Sequence, residues 1–153
     1  MNKAAILFAL TLLAVHGLPV SATDEDALLS LRRSAQCSSW DVMIFPSGFA
    51  TAVYADTCGR EERDFSRLVK LSPTAVRGLE DALAKARFLD LPDHVEPVTV
   101  STDDDFLSLK ADTGGQKHTI ILEGLQFKLK TDEIERFRLV WTAVDRLIPE
   151  PPW

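Results

Sequence analysis

The chain has 153 residues, two cysteines and a formal net charge of -6, and 46% of its residues are hydrophobic. A chain of this length builds one hydrophobic core and seldom more than one domain. The acidic excess disfavours nucleic acids and anionic membrane surfaces as partners, because both attract Lys and Arg patches, and it is compatible with a basic protein partner or with solubility alone.

The first 22 residues have the three parts of a cleavable secretory signal peptide. Lys3 provides the positive charge, residues 4–15 are almost all apolar, and Gly17 and Pro19 precede the compact residues Val20-Ser21-Ala22. The alternative is an uncleaved anchor, but an apolar run of about 12 residues is too short for a hydrocarbon core of about 30 Å. We therefore expect an exported protein, periplasmic or extracellular and not membrane-bound, with a signal peptide (1–22), one domain (23–148) and a C-terminal tail (149–153).

The two cysteines lie on either side of a predicted hairpin. Residues 40–45 and 49–55 have the composition of strands, and Pro46-Ser47-Gly48 between them is a turn sequence. If the last two residues of this turn form a two-residue loop, Cys37 faces Cys58 on a rung without hydrogen bonds. The predicted pairs are Pro46–Phe49, Ile44–Thr51, Val42–Val53 and Cys37–Cys58.

We expect Cys37 and Cys58 to form a structural disulfide. Cα atoms on such a rung approach to about 4.5 Å, within the range that a disulfide bridges. An exported protein meets an oxidising environment in which the bond forms and persists. The alternative is a redox-active pair, but these cysteines lack the CxxC spacing typical of one.

Two more segments of the first half have the patterns of regular structure. Residues 28–33 fit either a short helix, with acidic residues before it and arginines at its end, or a strand in which alternate residues face one side. Residues 64–71 predict a strand. Ser72 and Pro73 are typical of a helix start, a hydroxyl N-cap followed by proline at the first helical position. The predicted buried stripe of this helix is Val76, Leu79, Leu83 and Ala86.

The second half repeats this order of elements. Residues 106–111 and 118–122 predict a hairpin around Gly114-Gly115. Residues 125–130 alternate between apolar and polar side chains, which predicts one more half-buried strand. With a two-residue loop, the apolar pairs of the hairpin are Leu109–Ile120 and Leu107–Leu122.

A final helix is predicted to begin after Thr131 or Asp132, either of which can cap it. The first turn is acidic, which suits the positive end of the helix dipole. Its apolar stripe is Ile134, Phe137, Val140, Trp141, Val144 and Leu147 or Ile148. Together these elements predict an α+β fold, in which an antiparallel sheet built from two hairpins plus extra strands carries two helices on one face.

Several short motifs occur together in the first half: Ser30-Leu31-Arg32-Arg33-Ser34, Cys37, Asp41-Val42-Met43-Ile44-Phe45, Ser47-Gly48, Leu71-Ser72 and Ala86-Arg87-Phe88-Leu89-Asp90-Leu91. In this order they resemble a family of uncharacterised bacterial exported domains, in which a leucine-rich strand leads to a Cys-containing turn and a hairpin of the type Y-S-V-x-I-Y-x-D-G. The resemblance covers about residues 28–123. That family often has a second cysteine where this chain has Ser39 or Trp40, and Asp41 stands in place of its hairpin tyrosine. The resemblance implies a strand for residues 28–34, and it implies no activity.

We predict no catalytic residue, metal site or cofactor. His94 and His118 have no partner at metal-ligand spacing. Asp103-Asp104-Asp105 could in principle attract a cation, but adjacent aspartates of an extended segment point to opposite faces, so we expect a solvated strand entry. Ser47 lies at a hairpin tip without the strand-to-helix elbow of a nucleophilic serine.

Three functions are compatible with these observations. The first is a non-catalytic, inhibitor-like domain of the cell envelope that binds another envelope or secreted protein through Phe45, Pro46 and Phe49 at the hairpin tip. The second is a small-ligand carrier with an apolar groove between sheet and helices. The third is a small hydrolase, which requires His94 or His118 to lie beside an acid and a nucleophile. No oligomeric state is predicted.

Overall fold

The structure, a computed structural model, describes residues 26–56, 58, 63–95, 106–123 and 126–150. The predicted signal peptide and Asp103-Asp104-Asp105 lie outside these residues. The described chain forms six strands and two α-helices, which is the predicted α+β class. The elements are β1 (Leu29–Ser34), β2 (Ser38–Ile44), β3 (Phe49–Asp56), β4 (Arg63–Lys70), α1 (Pro73–Lys85), β5 (Phe106–Thr113), β6 (Gln116–Glu123) and α2 (Asp132–Leu147).

All six strands belong to one antiparallel sheet in the order β4-β3-β2-β1-β5-β6. The segment for which the residue pattern left helix or strand open is the central strand β1. Leu29 and Leu31 are buried on one side of it and Arg32 is exposed on the other. A helix is excluded because β1 pairs with both β2 and β5, and these two ladders satisfy its backbone on both sides.

The predicted register of the first hairpin is wrong by one residue. Ile44 faces Ala50 instead of Thr51, and Val42 faces Ala52 instead of Val53. The loop has three residues, because Phe45 N–H donates to Phe49 O (2.8 Å) and Gly48 N–H donates to Phe45 O (2.8 Å). Gly48 has a φ of 81°, so the turn is a type I turn followed by a left-handed residue, which adds the extra position.

The predicted disulfide between Cys37 and Cys58 is present, with a Cα–Cα distance of 5.0 Å. It forms in spite of the shifted register because both cysteines lie outside the ladder of β2 and β3. Cys37 belongs to the turn between β1 and β2, which Ala35 and Ser38 close. Beyond β3, Cys58 N–H donates to the side chain of Asp56 (3.1 Å). The bond therefore ties the first turn of the sheet to the end of β3.

The second hairpin has the predicted register. Leu109 faces Ile120 and Leu107 faces Leu122 across a two-residue loop. Gly114 and Gly115 both have positive φ, 65° and 86°, as a type I′ turn requires.

Both helices cover the same face of the sheet, and their predicted starts and buried stripes are confirmed. The Ser72 hydroxyl accepts from Ala75 N–H (3.1 Å) at the start of α1, and Thr131 caps α2 by accepting from Ile134 N–H (3.4 Å). Trp141 and Leu147 are only partly buried. The side chains that fill the space between helices and sheet include Leu29, Val42, Ile44, Leu79, Leu83, Leu109, Phe137 and Val140.

The predicted strand over residues 125–130 is wrong. Gln126–Lys128 is a 3-10 helix, and Gln126 is buried although the alternating pattern assigns it to the exposed side. Its side-chain oxygen accepts from Glu123 N–H (2.8 Å), and its side-chain nitrogen donates to Val95 O (2.5 Å). A buried amide with both hydrogen bonds made fixes this turn and prevents a further strand.

Arg136 of α2 binds the end of α1. Its Nε donates to Ala86 O (2.6 Å) and its Nη2 donates to Arg87 O (2.7 Å). The last carbonyls of a helix have no partner within the helix, and the Nε bond supplies one for Ala86 O at the C-cap. Arg87 itself has a φ of 47°, the left-handed conformation with which many helices end.

The start of the predicted C-terminal tail is held against the sheet. Arg33 donates to both carboxylate oxygens of Glu150 (2.8 Å each), and Arg67 donates to Pro149 O (3.1 Å). Residues 151–153 lie outside the described part of the chain.

Candidate functional site

The two faces of the sheet differ in what covers them. The helices bury the face that carries Leu29, Val42 and Ile44. Opposite partners on neighbouring strands share a face, so the pairing assigns the other face, here called the open face, without ambiguity. No helix of the described chain packs on it. The residues of the open face include Ser30, Arg32, Asp41, Met43, Phe49, Thr51, Val53, Leu68, Lys70, Phe106, Ser108, Lys110, Asp112, Lys117 and Thr119.

Three apolar side chains stand exposed together on one side of the open face. Phe49, Val53 and Leu68, here called the open-face patch, are 44%, 43% and 69% exposed. Phe49 and Val53 flank Thr51 along β3, and Leu68 of β4 lies directly opposite Thr51. The three therefore surround one position. The Thr51 hydroxyl oxygen is shielded from solvent and has no hydrogen-bond partner among the described residues.

Phe49 is held in place by its neighbours. The Lys70 ammonium lies 3.9 Å from the centroid of the Phe49 ring and donates to Ser47 O (2.8 Å). A cation over an aromatic face contributes about 0.5–1 kcal/mol at an exposed site. An aromatic side chain fixed in this way loses little conformational entropy when a partner covers it.

The structure separates the three residues that were predicted to form one contact at the hairpin tip. Phe45 is buried, with 9% of its surface exposed, whereas Pro46 and Phe49 are exposed. Phe49 instead belongs to the open-face patch. Val53 was missed because the incorrect register placed it opposite Val42 and so on the covered face. Leu68 was missed because the pairing of β3 with β4 was not predicted. Pro46 and Gly48 were the available indication of the correct register.

A groove lined by both charged and apolar residues adjoins the open-face patch across the centre of the sheet. It is a depression of about 400 Å³, and the ion pair between Arg32 Nε and Asp41 Oδ1 (2.5 Å) lies in it. Lys110 and the hydroxyl residues Ser30, Ser108 and Thr119 also line it. Met43 and Val53 form its apolar side, so Val53 belongs to both the groove and the patch.

His118 has a structural role in the described chain. Its Nε2 lies 2.7 Å from Leu91 O, which identifies Nε2 as the donor, and its Nδ1 lies 3.5 Å from Asp93 Oδ1. The Phe88 ring meets it edge to face. The histidine thus lies beside an acid, as the hydrolase hypothesis requires. Its Nε2, the nitrogen that would activate a nucleophile, is instead hydrogen-bonded to the backbone carbonyl of Leu91. His94 is exposed, and its backbone forms an isolated parallel β-bridge with Ile121.

Two further depressions of the described residues lie on outer surfaces. One of about 380 Å³ runs between α1 and α2 on their solvent side, and one of about 300 Å³ lies beside Phe88. Within the described ranges, no group of three or more His, Cys, Asp and Glu side chains is placed to hold a metal ion. In the same ranges, no helix is both long and apolar enough to cross a bilayer.

The open face therefore combines a fixed aromatic side chain, an apolar patch and a charged groove on the surface of one sheet. No family model matches this chain, and none of the curated proteins has a similar sequence.

Proposed function

We propose that this chain is a non-catalytic, inhibitor-like binding domain of the cell envelope, which contacts another envelope or secreted protein through its open face. The observation that carries the proposal is the open-face patch, in which three exposed apolar side chains adjoin on a surface that no described helix covers. Apolar side chains that are exposed together, with polar groups at their edge, are typical of protein contact surfaces.

The rigidity of the surface supports this proposal. The patch lies on paired strands and not on a loop, and the disulfide ties the β1–β2 turn to the end of β3. A surface that is already ordered costs less to bind than one that must be ordered on contact. The disulfide also agrees with an oxidising compartment outside the cytoplasm, where the predicted signal peptide would direct the chain.

The test is affinity capture with matched variants. The exported protein, with its disulfide formed, is incubated with envelope and secreted fractions of the producing cell, and retained proteins are quantified by mass spectrometry. Phe49→Ala combined with Leu68→Ala is expected to lower retention of a specific partner about tenfold or more, the range of contact hot spots. Leu139→Ala is the control, because Leu139 is as exposed as Phe49 (both 44%) but lies on the helix side.

Two outcomes would contradict the proposal. If no protein is retained above an unrelated exported domain, there is no stable partner. If Leu139→Ala weakens retention as much as the double variant does, the contact surface is not the open face. Melting temperatures of all variants, measured by circular dichroism, establish that each protein is folded.

The small-ligand carrier is the second candidate, with its binding groove on the open face instead of between sheet and helices. The space between sheet and helices is filled with side chains, but the groove of about 400 Å³ on the open face is large enough for a small molecule. Retention of a small molecule and no protein would favour this function.

A further inference from the structure

The charge of the groove is opposite to that of the chain. Arg32, Lys110 and Asp41 are its ionisable side chains, two cations and one carboxylate, whereas the chain carries a net charge of -6. The acidic balance of the whole chain, which is compatible with a basic partner or with solubility alone, therefore does not describe this surface. Cations outnumber carboxylates among the side chains that line the groove, which favours an anionic group as its ligand.

The pairing places the two cations within reach of one ligand. Arg32 lies opposite Ser108 across β1 and β5, and Lys110 lies opposite Ser30 across the same strands. The two cations are thus diagonal neighbours, for which Cα atoms are about 7–8 Å apart. Their side chains are long enough to meet at one carboxylate between them.

Hydroxyl groups surround the meeting point. Lys110 has Ser30 on one side and Thr119 on the other, and Arg32 has Asp41 on one side and Ser108 on the other. A guanidinium carries five N–H donors, so Arg32 can serve Asp41 and a second carboxylate together. The ion pair with Asp41 also holds the guanidinium in the groove, which favours the paired geometry that carboxylates accept.

The apolar side of the groove lies at a fixed distance from these cations. Met43 is two strands away from Lys110 in one row of the open face, and Val53 is two strands away from Arg32 in the next. Neighbouring strands are about 4.8 Å apart, so the backbone positions of each of these two pairs are about 10 Å apart. Met43 is also a diagonal neighbour of Arg32, at about 7–8 Å. The long side chains of Arg32 and Lys110 cover part of this distance, so a carboxylate and an apolar group on one residue or on adjacent residues can contact both ends.

We propose that the groove binds a carboxylate of the partner protein, with an adjacent apolar side chain of the partner lying on Met43 and Val53. The proposal rests on the proposed function, because it takes the open face as the contact surface. It adds the chemistry of the partner: an acidic group next to an apolar one, which in the simplest case is a chain terminus that ends in an apolar residue.

The test uses two small probes that differ only in charge. N-acetyl-leucine, which has a carboxylate and an isobutyl group, and its neutral amide are titrated separately into the ¹⁵N-labelled exported protein, and amide shifts are followed by NMR. The carboxylate probe is expected to bind in the millimolar range, with the largest shifts in the strands that carry Arg32, Met43 and Lys110. The amide is expected to bind about fivefold more weakly or not at all, because charge-assisted hydrogen bonds are lost.

Three variants assign the site. Arg32→Gln and Lys110→Gln should each weaken binding of N-acetyl-leucine about fivefold. Lys117→Gln, which removes the same charge from the open face outside the groove, should leave it unchanged. Lys110→Gln keeps the test valid if Arg32→Gln unfolds the protein by leaving Asp41 without its ion pair.

Three results would overturn the inference: no shifts with either probe, equal binding of both probes, or equal weakening by Lys117→Gln. The proposed function is judged separately. A partner whose capture survives Arg32→Gln and Lys110→Gln but not Phe49→Ala with Leu68→Ala would confirm the open face as a contact surface and exclude the carboxylate.

Discussion

The two hairpins of the sheet have strands of nearly equal length but different turns. The β2–β3 turn has three residues and a single left-handed one, Gly48, whereas the β5–β6 turn has two residues, Gly114 and Gly115, and both are left-handed. A two-residue turn of type I′ needs positive φ at both positions. In these two hairpins the glycines with positive φ accompany the difference in loop length, and the loop length determines the register.

The register of the first hairpin decides which side of β3 meets the helices. In the observed register Ala50, Ala52 and Tyr54 are buried, and Phe49 and Val53 are exposed. A shift of one residue would exchange the two sets. Phe49 and Val53 of the open-face patch belong to the exposed set. The patch therefore forms only in the register that the three-residue turn produces. The following predictions test this difference between the hairpins.

The largest effect is expected from removing the disulfide, which only the first hairpin has. The bond closes a loop with a sequence separation of 21, and loss of such a cross-link costs about 3 kcal/mol of unfolding free energy in the chain-entropy account. Urea denaturation of a variant with Cys37→Ser and Cys58→Ser measures this cost. Addition of a thiol reductant should destabilise the parent by the same amount and leave the variant unchanged. An unchanged midpoint in the variant would show that the bond contributes nothing to the first hairpin.

A smaller effect is expected from Gly48→Ala. Two effects oppose the change: the left-handed conformation, which costs an L-residue about 1–2 kcal/mol, and a new contact of the added Cβ. We therefore expect the unfolding free energy to fall by about 2 kcal/mol. The added Cβ would lie 3.1 Å from Leu71 O, whereas a Cβ on Gly114 meets nothing within 4 Å. Gly114→Ala is thus the matched control and should cost about 1 kcal/mol. Equal losses in urea denaturation would show that Leu71 does not restrict the first turn.

The smallest effect is a gain in stability from Thr51→Val. A shielded hydroxyl without a partner carries a desolvation cost, and its removal without a change in shape is expected to raise the unfolding free energy by about 1 kcal/mol. Thr119→Val on the second hairpin is the control, because Thr119 is exposed and should change stability little. A loss of stability in Thr51→Val, measured by thermal unfolding, would show that the hydroxyl has a partner in solution.

Local patterns predicted most of the fold. Alternation of apolar residues indicated the strands of both hairpins, and the Ser72-Pro73 start indicated α1, because these patterns depend on neighbours within one turn or one strand. The strand predicted over residues 125–130 was wrong because Gln126 is fixed by Val95 O, a partner 31 residues earlier, which no local pattern contains.

The candidate site was predicted only in part. Phe49 was among the predicted contact residues, but Val53 and Leu68 were not, since their exposure depends on the register and on the pairing of β3 with β4. The turn composition contained the missing information. Pro46 cannot donate the hydrogen bond that would close a two-residue loop, and Ser47 does not favour the positive φ that such a loop requires. The groove was not predictable in this way, because Arg32 and Lys110 meet only when β1 pairs with β5.

The central position of β1 also determines when the sheet can be completed. β1 pairs with β2, its neighbour along the chain, and with β5, which follows only after α1. Contacts between distant parts of a chain form slowly, because the loop between them must close before they stabilise anything. A newly made chain can assemble β1 to β4 early, and it then carries an unpaired edge on β1 until β5 arrives. That edge is where a wrong strand, from the same chain or another, would pair during folding.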